Sequence, residues 1–111
     1  MKEYLFSYGT LQRDNVQLEL FGRLLIGAKD ILKGHKTFSI EITDELFLSN
    51  GEQQGQLTAV ISNNKSDAIE GTVFEISEEE LRRADEYEPD GYTRIKMKLE
   101  SGNEAWVYMA A

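Results

Sequence analysis

The chain has no cysteine, one histidine and one proline in 111 residues. The missing cysteines exclude disulfides, zinc thiolate sites and a thiol nucleophile. The lone histidine, His35, has no serine or aspartate beside it to form a relay, and between Gly34 and Lys36 it reads as a surface residue at the start of a strand. One imidazole without thiolates makes a poor transition-metal site, and the acids lack the spacing of a calcium loop. We expect no metal and no cofactor. Basic residues are also few, 12 Lys and Arg against 20 Asp and Glu, leaving a net charge of −8. Lys29, Lys33, Lys36, Lys96 and Lys98 are dispersed, so there is no basic stripe for nucleic acid or for an anionic membrane surface. No apolar run has the length of a signal peptide or a membrane span, which makes the cytoplasm the expected location. No dinucleotide fingerprint, P-loop, repeat or linker interrupts the chain, and residues 1–111 read as a single domain.

What is present is a regular alternation of short strands with two helices. Lys2 to Tyr8 reads as a strand with Tyr4, Phe6 and Tyr8 on one face, broken by Gly9. Asp14 is placed to cap a short helix over Asn15 to Phe21, with Gly22 as its stop. Strands are expected at Leu24–Leu32, Thr37–Ile42, Leu57–Ser62 and Ala68–Ile76, with a polar loop over Thr43–Gln56. The clearest boundary is Ser77 followed by Glu80, a capping box flanked by Ile76 and Leu81 as a hydrophobic staple. That helix should run to Glu86 or Tyr87. A strand from Tyr92 to Glu100, a turn at Ser101-Gly102-Asn103 and a last strand, Glu104 to Met109, complete the pattern. Such an order indicates α+β, with the sheet curled or closed into a small mixed β-barrel and short flanking helices.

Three features invite a chemical reading. Glu78-Glu79-Glu80 is accounted for by the cap and the helix dipole. Gly9, after a strand and before a short helix, lets backbone amides approach a carboxylate or oxyanion, although strand-ending glycines are common. Glu88 follows a helix instead of riding on it, and Pro89 restrains it. Tyr87 and Tyr92 can partly desolvate it and raise its pKa, as suits an acid/base group. The same placement also fits an ordinary solvated turn carboxylate, one of 20 acids.

Three segments in order carry a family resemblance. Tyr8-Gly9-Thr10-Leu11 resembles the Y-G-[TS]-L loop of the gamma-glutamylcyclotransferase-like family. Gly71-Thr72-Val73-Phe74-Glu75-Ile76-Ser77 resembles its G-x-V-[FY]-x-[IV]-S strand. Asp85-Glu86-Tyr87-Glu88 with Tyr92-Thr93-Arg94 resembles its D-x-x-E and Y-x-R pattern. The resemblance implies a small mixed barrel, with the loop and the acidic turn facing one pocket. It implies Glu88 as general acid/base, and Tyr8, Gly9, Thr10 and Leu11 as the loop holding the glutamyl carboxylate. Tyr4, Tyr87 and Tyr92 are candidates for the pocket walls, and strand alternation sets Arg94 on the face of Tyr92, so Tyr92 and Arg94 are expected on the substrate. The products would be 5-oxoproline and a free amine or amino-acid derivative, formed without metal or cofactor.

The chain departs from the family at Ala84-Asp85 and Glu88-Pro89, and Thr43–Gln56 lacks the family's glycine-proline pattern. These departures bear on substrate identity more than on fold. The acidic composition favours a gamma-glutamyl amine with a cationic remainder. The competing readings are a non-catalytic module of the same fold that binds a small carboxylate, and a protein-interaction module.

Overall fold

Strand β1 (Lys2–Ser7) sends apolar side chains to both sides of a sheet, which places it at the centre. It pairs antiparallel with β5 (Ala68–Ser77) and parallel with β7 (Glu104–Ala110). The computed structural model describes residues 2–41, 55–88 and 91–110, with the side chains of 39–41, 55–57 and 110 left undescribed. Outside β5 lies β2 (Ile26–Lys33), and outside β7 lies β6 (Tyr92–Lys98), giving the order β2-β5-β1-β7-β6. Strands β3 (His35–Glu41) and β4 (Gly55–Ile61) form a separate two-stranded ribbon.

Each face of the sheet has its own core. Leu5, Phe74, Ile76 and Tyr108 pack with helices α1 (Asp14–Phe21) and α2 (Glu78–Tyr87) on one side. Phe6, Val107 and Met109 pack with Leu32, Ala59 and Ile69 on the other, where Ala59 brings in the ribbon. Burying Leu5 or Phe6 stabilises the fold by about 1.5–3 kcal/mol each. Gly71 keeps this centre tight, because a Cβ there would stand 2.5 Å from the Ser7 carbonyl oxygen and 2.7 Å from the Phe6 ring.

Most expected elements are present, with informative shifts. The expected barrel is not closed: among the described residues the sheet ends on β2 and β6, and the ribbon pairs only with itself. Tyr4 does share a face with Phe6, but it lies beyond the covered part of that face and is half exposed. Asp14 does not cap α1. A 3-10 turn (Thr10–Gln12) runs straight into the helix, making Arg13 the N-cap and Asp14 the first helical residue, where its charge still favours the dipole. Gly22 ends α1 in the left-handed conformation, φ 73°. Strand β2 starts later than Leu24 because the Leu25 amide donates to the Gln17 side chain at 2.9 Å. The capping box is complete: Ser77 Oγ accepts from the Glu80 amide at 3.1 Å, and Glu80 Oε1 accepts from the Ser77 amide at 2.9 Å. The loop expected over Thr43–Gln56 falls mostly outside the described residues, its last two positions opening β4. Pro89 also lies outside them.

Candidate active site

The carboxyl ends of the parallel neighbours β1 and β7 point the same way, and α2 ends beside them. A small pocket forms there. It is lined by Phe6, Ser7, Tyr8, Gly9, Thr10, Leu11, Glu88, Tyr92 and Tyr108. The loop and the acidic turn, 77 positions apart in sequence at Thr10 and Tyr87, thus share one cavity.

The loop is held from several sides. Gln17, almost fully buried, donates to the Leu11 carbonyl at 2.8 Å and so ties the loop to α1. Thr10 Oγ1 is 2.8 Å from the Tyr87 hydroxyl, which joins the loop to the last residue of α2. Gln12 donates to the Gly9 carbonyl at 3.3 Å and accepts from the Thr72 hydroxyl at 3.0 Å. The first hydrogen bond of the 3-10 turn is Gln12 N to Gly9 O, 3.2 Å, so the amides of Thr10 and Leu11 precede it. Gly9 has a negative φ, −132°, so what glycine contributes here is the missing side chain and not a left-handed backbone.

Tyr8 is a half-buried strut. Its hydroxyl donates to the Tyr108 carbonyl at 2.6 Å and accepts from the Ala59 amide at 2.8 Å, tying β1 to β7 and to the ribbon. Burial pushes its pKa up, and the nearby Glu88 charge acts in the same direction, against hydrogen bonds from Ala59 and Thr58. The Tyr92 hydroxyl is also pushed up, first by burial and then by Tyr8 and Glu88. Tyr108 is raised by burial, by its hydrogen bond to Asp85 and by the charges of Asp85 and Glu88. All three phenols therefore stay protonated at neutral pH around one partly buried carboxylate.

Glu88 is the C-cap of α2. Its amide donates to the Ala84 carbonyl at 3.0 Å, and its backbone then turns extended, φ −65° and ψ 145°. The helix stops and the side chain enters the pocket lining. Among the described residues that line the pocket, Glu88 is the one charged side chain.

Of the expected site residues, Glu88, Tyr8, Gly9, Thr10, Leu11 and Tyr92 come together. Arg94 does not line the pocket. Its Nε donates to Asp85 Oδ1 at 2.7 Å, and its guanidinium lies over the Trp106 ring, 4.4 Å from the centroid. Tyr4 is absent from the wall, and Tyr87 reaches the site through Thr10. Tyr108 was not expected. Its signal was the alternation of Trp106 and Tyr108 in the last strand, which identifies a face but not its neighbour. His35 is the first residue of β3, its Nδ1 2.9 Å from the Lys33 carbonyl oxygen, away from the pocket. Among the described residues no three His, Asp or Glu side chains gather as metal ligands would. No helix among them is long and apolar enough to cross a membrane.

Comparison with known proteins adds the family. The solution structure of the Arabidopsis thaliana protein At5g39720.1 superposes with a TM-score of 0.75 at 19% identity, covering 98% of this chain and 68% of that one. A structure described as a gamma-glutamyl cyclotransferase gives 0.73 at 18% identity, covering 100% of this chain and 68% of that one. An uncharacterized Homo sapiens protein, loc79017, gives 0.71 at 21% identity, covering 99% and 67%. At such identities the likeness concerns the fold. A further Arabidopsis thaliana structure, At3g28950.1, with a TM-score of 0.68 at 16% identity, is covered over only 62% of its length. The chain thus spans about two thirds of the length of its structural relatives. No curated protein is significantly similar to it in sequence. The model of the family described as "Gamma-glutamyl cyclotransferase, AIG2-like" matches residues 5–111, nearly the whole chain, and the protein belongs to that family.

Proposed function

We propose that the protein is a gamma-glutamyl cyclotransferase that releases 5-oxoproline from a gamma-glutamyl amine or gamma-glutamyl amino-acid derivative, with Glu88 as general acid/base. The observation that carries this reading is that Glu88 and the Tyr8–Leu11 loop line one pocket in a chain of this family. The substrate's α-amine attacks its own γ-carbonyl carbon, closing a five-membered ring while the bond to the leaving nitrogen breaks. Because the attack is intramolecular, proximity supplies much of the acceleration and no protein nucleophile is needed. Glu88 takes the proton from the ammonium and returns it to the departing nitrogen. The Thr10 and Leu11 amides are suited to the glutamyl α-carboxylate. A single negative side chain in the lining suits the α-ammonium beside it. Tyr92 and Tyr108 supply the apolar walls and exclude water.

The test is a screen of gamma-glutamyl amines and gamma-glutamyl amino acids for 5-oxoproline release by the wild type and by Glu88→Gln. Release that is lost in the variant supports the reading. Release at the wild-type rate by Glu88→Gln removes Glu88 from the mechanism. Saturable binding of such compounds without turnover would instead support a non-catalytic carboxylate-binding module.

A further inference from the structure

Asp85 stands where a carboxylate is locally unfavourable. It lies in the last turn of α2, near the negative end of the helix dipole, and that turn holds no basic residue. Two neighbouring strands nevertheless converge on it. Asp85 Oδ1 accepts from Arg94 Nε of β6 at 2.7 Å and from the Tyr108 hydroxyl of β7 at 2.5 Å. Each donor is itself held. Arg94 lies over Trp106, whose indole N–H donates to Glu3 at 2.9 Å, and Tyr108 accepts the Tyr8 hydroxyl on its carbonyl. Glu88 follows Asp85 by one helical turn, and its amide makes the last bond of the helix.

From this arrangement we infer that Asp85 is a positioning residue: it clamps the end of α2 to β6 and β7, so that Glu88 leaves the helix toward the pocket. The Asp85 and Arg94 side chains are 36% and 28% exposed. A partly exposed ion pair of this kind contributes little to global stability. Its effect falls on the direction of the Glu88 side chain, to which a catalytic carboxylate is sensitive at the ångström level. Arg94 thereby serves the site without touching the ligand.

This inference rests on the catalytic reading of Glu88, and its test separates the two. Asp85→Ala, alone and combined with Glu88→Gln, is assayed for 5-oxoproline release, and amide hydrogen exchange is followed in the full chain. In the wild-type background Asp85→Ala should lower kcat by roughly 10- to 100-fold with KM changed by less than about threefold. Added to Glu88→Gln it should cost less than about threefold more, because two residues acting through one group are not additive. Asp85→Asn, which keeps an acceptor for Tyr108, should retain part of the activity. Protection of the Glu88 amide should fall by about tenfold in Asp85→Ala while that of Leu81's amide is kept. Wild-type kcat in Asp85→Ala, or the same loss in both backgrounds, would overturn the clamp. If the wild type turns over no gamma-glutamyl compound, the proposed activity falls, and exchange alone decides: unchanged Glu88 protection then refutes the clamp. Should Asp85→Ala fail to fold, Asp85→Asn and Tyr108→Phe carry the same comparison.

Discussion

The two ends of α2 are built on opposite principles. At the amino end every local preference agrees. Ser77 and Glu80 cap each other, Glu78 and Glu79 complement the dipole, and Arg23 grips Glu80 through two contacts of 2.8 Å. At the carboxyl end Asp85, Glu86 and Glu88 crowd acids where a helix prefers cations, with no basic residue in the turn. The company of Asp85 comes from elsewhere, from Arg94 on β6 and Tyr108 on β7. An end that its own sequence already caps, with Arg23 only added from outside, serves the fold. An end that depends on distant strands marks where local stability has been yielded to a site.

Crossed substitutions sharpen this contrast. The largest effect is expected at the carboxyl end: Glu88→Gln should lower 5-oxoproline release by roughly 10²–10⁴. The melting temperature should remain within a degree or so of wild type, since the variant keeps size and backbone. Rate and calorimetry together check it, and an equal loss of both would make Glu88 a structural residue. The reverse pattern is expected at the amino end. Ser77→Ala removes the Ser77 hydroxyl half of the capping box and should cost about 1 kcal/mol, a melting shift of roughly 4 °C, while kcat stays unchanged. A variant that melts normally but loses activity would show that the amino end also serves the site.

The same contrast explains what could be read in the sequence. The capping box was legible because its code is local, four residues deciding their own geometry. Glu88 and the Tyr8–Leu11 loop were legible as a pair only through the family resemblance, since Glu88 alone is one acid among 20. Tyr108 stayed hidden because it reaches the pocket through the parallel pairing of β1 with β7, a contact between the two ends of the chain. Arg94 was placed on the ligand because alternation sets it on the face of Tyr92. That pattern is silent on whether Asp85 already occupies the guanidinium. Tyr4 failed differently: its face was right, but the cover over that face stops before reaching it. Alternation assigns sides, and only the assembled layers say how far each side is covered.

The smallest expected effect, and the one that treats the two ends symmetrically, is their response to pH. Glu80 is held below its ordinary value of 4.5, chiefly by its hydrogen bond to Arg23, which with the Ser77 contacts outweighs the opposing effect of burial. A carboxylate lowered on folding contributes stability that is fully present above its unfolded pKa and lost as pH falls through the folded one. The amino end should therefore weaken on the acid side, below about pH 4.5. Tyr108 is raised above its ordinary value of 10.0, first by burial and then by Asp85. A phenol raised on folding contributes stability that is fully present below its unfolded pKa and lost as pH climbs toward the folded one. The carboxyl end should therefore weaken on the alkaline side, above about pH 10. Chemical denaturation across both limbs checks this with one variant for each end. Glu80→Gln should make the acid limb shallower, with Asp30 still contributing there, and leave the alkaline limb as it is. Tyr108→Phe should make the alkaline limb shallower, with Tyr8 and Tyr92 still contributing there, and leave the acid limb as it is. If either variant flattens both limbs, the two ends of α2 are not independent, and the division between a stabilising end and a site-building end is wrong.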